Sequence, residues 1–451
     1  MGAVYDRRTR AYLSRCLADA FLAGVWNERA MAARAGLALD DAPGWVLPLA
    51  REVLAAYDRP PLDRPRELAK FISLALEDRP RPEDEISAPG VRRWLVPEPA
   101  MGRRRWPVPE LPSVGALAAF LELSDGELAW LADARGLERT VPDERLRNYV
   151  YSTVPRRNGP PRVIERPKFR LKTIQRRLLH EILDWIPVHD AAHGFTRGRS
   201  ALTNANQHTG TFVVLGLDLE DFLASITARR VYGIFRTAGY PESVAHTLTA
   251  LSTNVVPIGV SQQLSGPTDS GLVESQFSLA RRLATPHLPQ GAPTSPALAN
   301  LAAFRLDRRL RGLAAALELT YTRYADDITF SGPDRLLRIA DQLRSTIGHI
   351  ARAEGFTLND RKSTLTTRAG RQQVCGVVVN QRPNVPRADY DTLKAILHNA
   401  AKKGPGDQNR NGEPDFRAHL LGRIAWVEQL NPQRGAKLRG QFVHIPWDRG
   451  A

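Results

Sequence analysis

The most informative ten residues of the chain read Tyr321-Thr322-Arg323-Tyr324-Ala325-Asp326-Asp327-Ile328-Thr329-Phe330. Aromatic and β-branched residues alternate with polar ones on both sides of two adjacent aspartates, and this alternation predicts two short strands joined by a tight turn. Aspartate is a favoured turn residue for purely structural reasons. Two acids at the tip of a rigid turn are also a suitable ligand set for a hard divalent cation. The stretch by itself leaves both interpretations open.

The composition is that of a globular protein, and its charge indicates a polyanionic partner. With 451 residues, 43% of them hydrophobic and 25% charged, the chain is too long for one ordinary core. Lysine and arginine number 63 against 48 aspartates and glutamates, which gives a net charge of +15. A surplus of this size most often serves nucleic-acid binding, and an anionic membrane surface is the alternative explanation.

Secretion and membrane insertion are not indicated. No apolar run approaches the roughly 20 residues that span a bilayer. The first residues include Asp6, Arg7 and Arg8 and show no apolar segment followed by a cleavage site. Cys16 and Cys375 are the two cysteines, too few for a disulfide framework or a cysteine-rich zinc site. We therefore expect a cytoplasmic protein without a membrane partner.

The N-terminal part predicts helices followed by a linker. Residues 10–37 and 45–76 show helical spacing of apolar residues. Prolines accumulate from Arg79 to Pro112, around the cluster Arg103-Arg104-Arg105, which is typical of a linker or an extended arm. These patterns give residues 1–110 no role beyond a helical extension.

Basic residues are dense between Arg156 and Lys172. The string Arg156-Arg157-Asn158-Gly159 predicts a hairpin turn between two short strands, and a helix is predicted from Thr173 to Trp185. Basic side chains interleaved with extended structure suit a surface that contacts a nucleic-acid backbone or a nucleotide triphosphate. A solvent-exposed charge is the alternative for any one of them, including Lys168.

Two further segments can carry chemistry. Residues 212–215 predict a buried strand that leads to Asp218, where a metal ligand would be held rigidly, or where an ordinary acid ends a strand. Residues 288–296 contain three prolines and one glycine, so they predict a stiff loop next to a substrate, or a turn that leads into the helix predicted at 297–313. A turn and strand are predicted at 355–362, and another strand at 373–379.

The order of these segments resembles the fingers and palm of a reverse transcriptase. The resemblance covers about residues 150–380 and rests on four strings: Leu217-Asp218-Leu219-Glu220-Asp221-Phe222, Pro289-Gln290-Gly291-Ala292-Pro293-Thr294-Ser295-Pro296, Tyr324-Ala325-Asp326-Asp327, and Leu358-Asn359 with Lys362. It implies an α+β right-hand polymerase in which an antiparallel sheet packs against helices. The implied domains are a helical extension with a Pro/Arg-rich linker (1–110), fingers with a leading helical segment (111–215), a catalytic palm (216–380) and a helical, RNA-binding thumb (381–451).

A narrower resemblance points to the bacterial retron reverse transcriptases. Asn204, Ala205 and His208 match an Asn-Ala-x-x-His element of that group, and Val374-Cys375-Gly376 stands where the group has Val-Thr-Gly. The cysteine is a departure from the pattern. The match implies that the protein binds its own structured noncoding RNA and copies part of it into single-stranded DNA (msDNA). Synthesis would start at a guanosine 2′-hydroxyl to give a 2′,5′-branched RNA–DNA hybrid, in anti-phage defence with an effector protein.

The resemblance also implies roles for single residues. Asp218 and Asp326 would bridge two Mg²⁺ ions, or Mn²⁺ in their place, with the Leu219 carbonyl as a further ligand and Asp327 as the more dispensable acid. Lys362 would be a cation or proton donor near the leaving pyrophosphate, a surface lysine being the alternative. Contacts with the deoxynucleoside triphosphate or template are expected from Lys168, Lys172, Phe222, Leu223, Gln290, Gly291, Tyr324 and Ala325. Contacts with RNA are expected from Asn204, Ala205, His208, Val374, Cys375, Gly376, Lys402 and Lys403, with a buried structural role as the alternative for His208.

Some alternatives stay open. Where reverse transcriptases place an aromatic residue that excludes a ribose 2′-hydroxyl, this chain has Leu223, with Phe222 beside it. Either Phe222 takes the role, or discrimination against ribonucleotides is weaker. Another bacterial reverse transcriptase, of group II intron-like or unbranched defence type, is the nearest alternative function, and Asn204-Ala205 with His208 argues against it. A non-catalytic RNA-binding protein on a polymerase fold is a further alternative, disfavoured by the three intact aspartates.

Overall fold

The computed structural model describes residues 6–40, 43–77, 89–155, 161–263 and 273–447. The chain divides into two compact units, each described by itself below. Unit 1 consists of Met1–Ile186 and Thr227–Ser295, and unit 2 of Pro187–Ile226 and Pro296–Ala451. Residues 227–295, which the resemblance places in the palm, thus belong to the same unit as the N-terminal extension.

Helices predominate and strands are few among the described residues. In chain order the helices are α1 (Arg7–Leu22), α2 (Glu28–Ala38), α3 (Val46–Ala56), α4 (Pro65–Glu77), α5 (Val114–Leu121), α6 (Asp125–Leu131), α7 (Leu137–Thr140), α8 (Phe169–Glu181), α9 (Ala201–Asn206), α10 (Ala228–Thr237), α11 (Glu242–Ser252), α12 (Ile258–Gln263), α13 (Val273–Leu283), α14 (Ser295–Ala302), α15 (Phe304–Ala316), α16 (Arg335–Ala353), α17 (Arg387–Lys403), α18 (Phe416–Leu430) and α19 (Pro432–Val443). The strands are β1 (Tyr149–Val154), β2 (Arg162–Pro167), β3 (Val213–Asp218), β4 (Thr320–Tyr324), β5 (Asp327–Gly332), β6 (Thr364–Thr367), β7 (Gln373–Val374) and β8 (Val377–Val378). Within the described ranges, no helix has both the length and the apolar character needed to cross a bilayer.

Unit 1 begins with the bundle α1–α4. Asp6 and Asn27 cap the first two helices by accepting hydrogen bonds from first-turn backbone amides. Apolar side chains at helical spacing, among them Leu17, Phe21 and Leu68, form a buried core inside the bundle. The two helical segments predicted at 10–37 and 45–76 are therefore four helices.

The bundle is fixed to α10 and α11 of the same unit. Arg236 forms a salt bridge with Asp63 at 2.8 Å. The carboxylate of Glu242 accepts hydrogen bonds from the backbone amides of Arg66 at 2.8 Å and Glu67 at 3.2 Å, so it caps the first turn of α4. The extension is therefore an integral part of unit 1.

A two-stranded hairpin and helix α8 follow in unit 1. β1 and β2 pair in antiparallel fashion, with Tyr149 opposite Pro167, while the predicted turn Arg156-Arg157-Asn158-Gly159 lies outside the described residues. Helix α8 begins at Phe169, earlier than the predicted start at Thr173. The reason is local, because Lys168 already has the extended conformation of an N-cap residue (φ −64°, ψ 164°).

Unit 2 is built on a four-stranded antiparallel sheet with the order β4-β5-β3-β6. β4 and β5 form the hairpin predicted around the aspartate pair, and β3 ends at Asp218 as predicted. The helix predicted at 297–313 is instead two helices, α14 and α15, which are separated at Ala303, where the backbone turns to φ −82° and ψ −3°. The segment 355–362 contains a short 3-10 helix, Asp360–Lys362, and its strand comes later, as β6.

The C-terminal helices of unit 2 share one core with a small hairpin. The strand predicted at 373–379 is two strands, β7 and β8, because Cys375 (φ 49°) and Gly376 (φ 78°) both adopt the left-handed conformation of a tight turn. Apolar residues of this hairpin and of α17, α18 and α19 form a single buried cluster.

Candidate active site

Three aspartates converge at one end of the unit 2 sheet. Asp218 is the last residue of β3 and lies opposite Asp327, the first residue of β5. Asp326 lies in the turn between β4 and β5, after Ala325, whose φ of 56° makes the turn tight. Carboxylate oxygens of the three residues all lie within 4.8 Å of one another. A strand end and a hairpin far apart in the sequence thus form one acidic site.

Burial and mutual repulsion perturb these acids. Burial raises the pKa of Asp218, and the charge of Asp326 raises it further. The pKa of Asp327 is raised to about 6, first by desolvation and then by the charges of Asp326 and Asp218, although the residue as a whole is exposed. A divalent cation would offset this repulsion, and it prefers such hard oxygen donors. The three aspartates therefore fit a metal site.

Lys362 places a positive charge at the same point. Its Nζ donates a hydrogen bond to Oδ2 of Asp218 at 2.9 Å, and this contact acts to lower the pKa of Asp218. About half of the lysine side chain is exposed. The ammonium group is thus at the acidic site and accessible to a ligand.

A fully buried ion pair supports the aspartate turn. Arg323 in β4 donates hydrogen bonds of 2.8 and 2.7 Å to the two carboxylate oxygens of Asp307. The Tyr321 hydroxyl donates to the same carboxylate at 2.7 Å. Arg323 also donates to the carbonyl of Ala325 at 2.9 Å. Both charged side chains are 0% exposed. Through its hydrogen bond to Ala325, the buried Arg323 fixes the residue directly before Asp326. Asp307 was not predicted, since no motif surrounds it in α15.

Gly194 supports the turn by close contact. A Cβ at this position would lie 2.5 Å from the backbone nitrogen of Ala325 and 3.0 Å from the carbonyl carbon of Tyr324, so only glycine fits. The side-chain amide of Asn300 donates to the Gly194 carbonyl at 2.9 Å. The sequence shows a glycine-rich loop here but not its partner.

Phe222 and Leu223 differ in accessibility. Phe222 is buried, with its ring 5.6 Å from that of Phe356 and 5.5 Å from the guanidinium carbon of Arg323. Leu223 is half-buried. Phe222 therefore packs against Arg323, which supports the aspartate turn. Leu223 has more surface accessible to a ligand than Phe222 has.

His208 has an internal position. It is 0% exposed, and its two ring nitrogens hydrogen-bond to the hydroxyls of Ser331 and Thr322, both at 2.7 Å. Burial lowers the pKa of His208 to about 3, so the ring is neutral. This geometry matches the structural alternative for His208 and does not support direct contact with RNA.

The neighbouring candidates for RNA contact differ among themselves. Asn204 and Ala205 are also buried, and the Asn204 amide donates to Sγ of Cys375 at 3.2 Å. Burial raises the pKa of the Cys375 thiol to about 12. Val374 is buried too, whereas Lys402 and Lys403 are exposed in the last turn of α17. Among these candidates Lys402, Lys403 and Gly376 are exposed and Cys375 is half-buried, so these four have surface that RNA could reach.

The candidate lysines of unit 1 also differ. Lys168 Nζ donates to the backbone carbonyls of Glu144 at 2.6 Å and Arg145 at 3.2 Å, so its ammonium group is engaged by the protein. Lys172 is exposed on α8. Of the two, Lys172 is better placed to meet a phosphate.

A buried polar network in unit 1 holds the loop at Gln290 and Gly291. The backbone amide of Glu165 donates to the Gln290 carbonyl at 2.8 Å, and a Cβ on Gly291 would lie 2.9 Å from the Glu165 carbonyl oxygen. The Glu165 carboxylate pairs with His287 at 3.0 Å and accepts from Asn254 at 2.7 Å. Burial acts to lower the pKa of His287, but the charge of Glu165 outweighs it and the pKa is raised. Neither His287 nor Asn254 was predicted.

Comparison with known proteins agrees with this geometry. Residues 154–399, more than half of the chain, match the family described as reverse transcriptase (RNA-dependent DNA polymerase). The chain belongs to the reverse transcriptase family. The predicted right-hand polymerase fold, with an antiparallel sheet packed against helices, is thereby confirmed.

Curated relatives indicate which group of reverse transcriptases the chain resembles. The chain is 40% identical over 297 residues to the Retron Mx65 reverse transcriptase of Myxococcus xanthus, covering 66% of this chain and 65% of the relative. It is 37% identical over 351 residues to the Retron Mx162 reverse transcriptase of the same organism, covering 74% of this chain and 67% of the relative. The Retron Ec86 reverse transcriptase of Escherichia coli is 32% identical over 238 residues, covering 52% of this chain and 64% of the relative. The reverse transcriptase is therefore of the bacterial retron type, as predicted, and the match spans just under two thirds of Mx65.

Proposed function

We propose that this retron-type chain is an RNA-directed DNA polymerase that copies part of a cognate structured noncoding RNA into single-stranded DNA. The observation that carries the proposal is the convergence of Asp218, Asp326 and Asp327 within 4.8 Å in a chain of this family. The net charge of +15 supports a nucleic-acid partner.

The residues of the site suit phosphoryl transfer, in which positioning and charge stabilisation provide most of the catalysis. Asp218 and Asp326 would hold the metal ions, with the Leu219 carbonyl as a further ligand and Asp327 less essential. Two Mg²⁺ ions, or Mn²⁺, would supply charge neutralisation at the attacking hydroxyl and the departing pyrophosphate. Lys362, which already contacts Asp218, would present its ammonium group to the pyrophosphate as a cation or proton donor.

The next proposals concern the residues that contact the nucleotide and the template. We propose that Gln290 and Gly291 border the incoming nucleotide and template base. Tyr324 and Ala325 are further candidates for contact with the nucleotide or template. Leu223 would face the sugar, because Phe222 is buried against Phe356, so exclusion of ribonucleotides would be weaker than with an aromatic residue. Incorporation of dGTP and GTP on one RNA template measures this discrimination. A Leu223→Phe variant should strengthen it, and an unchanged ratio would remove Leu223 from the role.

The retron relatives support the finer proposal that synthesis is primed from a guanosine 2′-hydroxyl and gives branched msDNA. RNA would be held in part by Lys402 and Lys403, and an effector protein would link the product to anti-phage defence. The chain purified with its upstream RNA should yield branched DNA that a debranching enzyme separates. The double variant Asp326→Ala, Asp327→Ala should lose this DNA and keep RNA binding. Continued synthesis by the variant would contradict the metal assignment, and unbranched DNA from the wild type would favour the unbranched class.

A further inference from the structure

Phe169 is an unusually exposed aromatic residue. Its side chain is 84% exposed at the start of α8 in unit 1. Phe169 is therefore not part of the buried face of α8. A ring exposed to this extent is accessible to a partner, and because single exposed apolar residues are common, the surroundings of Phe169 decide which kind of partner it fits.

The helix surface around Phe169 is positively charged. Lys172 and Arg176 follow at three and seven residues, so helical geometry places both on the same face as Phe169, and both are exposed. Residues 161–180 contain seven lysines and arginines and one acid, Glu165, which is buried. A partner of this face should be negatively charged and should offer a flat surface to the ring.

The opposite side of α8 is rigidly anchored. Leu171, Ile174 and Leu178 are buried in unit 1. The side-chain amide of Gln175 donates to the Tyr149 hydroxyl at 3.0 Å and to the Leu251 carbonyl at 2.9 Å. The exposed face is thus held in position before any ligand binds, which lowers the entropic cost of binding.

We propose that Phe169 is a stacking platform for an unpaired base of single-stranded RNA, with Lys172 and Arg176 contacting the adjacent phosphates. Aromatic rings that stack on bases, flanked by cations that follow the backbone, are how proteins bind single strands without reading their sequence. The inference rests on the proposed function in that this function supplies the RNA partner. It adds a site that none of the catalytic residues shares.

The test is binding of a labelled single-stranded oligoadenylate to the chain of 451 residues, measured by fluorescence anisotropy at several salt concentrations. Phe169→Ala should weaken binding by about 5- to 150-fold, the loss expected for one base stack. Phe169→Trp, which keeps a ring, should bind as well as the wild type. Phe277→Ala is the matched control, because Phe277 is also an exposed phenylalanine of unit 1, at 72%, and this change should leave affinity unaltered.

Salt dependence separates the two parts of the site. Lys172→Ala and Arg176→Ala should each reduce the slope of log affinity against log salt by about 0.7, the value for one phosphate contact on a single strand. Phe169→Ala should leave that slope unchanged. Equal affinity of Phe169→Ala and Phe277→Ala, in a wild type that binds RNA and makes DNA, would overturn this inference alone. A wild type that makes no DNA but binds RNA through Phe169 would overturn the proposed function alone.

Discussion

Asp307→Ala tests whether one buried ion pair supports both the stability of unit 2 and the aspartate turn. The change removes the acceptor of three hydrogen bonds, two from Arg323 and one from Tyr321. It also leaves the Arg323 guanidinium uncompensated at 0% exposure. Breaking a buried pair from one side costs about 3–5 kcal/mol. We expect the free energy of unfolding, measured by urea denaturation of the full chain, to fall by that amount.

Two control variants test whether the loss of stability comes from the unpaired Arg323 guanidinium. Asp341→Ala should have little effect, because Asp341 is 98% exposed and pairs with Arg344 on the surface. Adding Arg323→Met to Asp307→Ala should recover stability, because it removes the uncompensated cation. DNA synthesis by this double variant should nevertheless be lower than that of the wild type, because the Ala325 carbonyl has lost its hydrogen-bond donor. Similar losses for Asp307→Ala and Asp341→Ala would refute the reasoning.

Three shorter predictions concern the same unit. Lys362→Ala should slow single-nucleotide incorporation by about 10²-fold, because it removes the proposed cation or proton donor at the pyrophosphate, and an unchanged rate would remove Lys362 from the mechanism. Gly194→Ala should lower primer extension by about 10²-fold, because the added Cβ displaces the turn, whereas Gly312→Ala, with nothing within 4 Å of its Cβ, should extend normally. The pKa of His208 is lowered from 6.5 to about 3 in the folded chain. Between these two pH values the imidazole is therefore protonated in the unfolded chain and neutral in the folded chain. Its contribution to stability is therefore present above pH 6.5 and is lost as pH falls, by about 1.4 kcal/mol at pH 5.5. Urea denaturation at pH 7.5 and 5.5 should show a loss of stability that is larger by this amount in the wild type than in His208→Asn, because the other titrating groups are common to both proteins.

The parts of the site that could be predicted are contiguous in sequence. Alternation around Asp326 and Asp327 predicts the hairpin, and an apolar run predicts that Asp218 ends a strand, because both signals come from neighbouring residues. The candidate metal site could not be predicted from such local signals. Its three acids meet only through the pairing of β3 with β5, which was inferred from the family resemblance and not from periodicity.

The supports of the turn could not be predicted for the same physical reason. Asp307 lies in the first turn of a helix that is rich in arginine, where an acid is ordinarily a surface residue. Gly194 lies in a loop whose composition explains its glycine without any partner. Both act on residues 324–325 through tertiary packing alone. The same limit explains the unexpected separation of α14 and α15 at Ala303, where the sequence contains no proline or glycine to signal it.

The N-terminal extension shows how contacts change an interpretation based on composition. Prolines and arginines after α4 predict a linker, because they disfavour regular structure, but they do not report what the neighbouring helices contact. Glu242 caps α4 from 175 residues away, and it is only 8% exposed. Without the extension, this buried carboxylate would lose its two backbone donors, and Arg236 would lose Asp63. Hydrogen bonds to a charged group contribute favourably to stability. The extension and helices α10 and α11 therefore stabilise one another, so the extension is better regarded as part of the fold of unit 1 than as an appended domain.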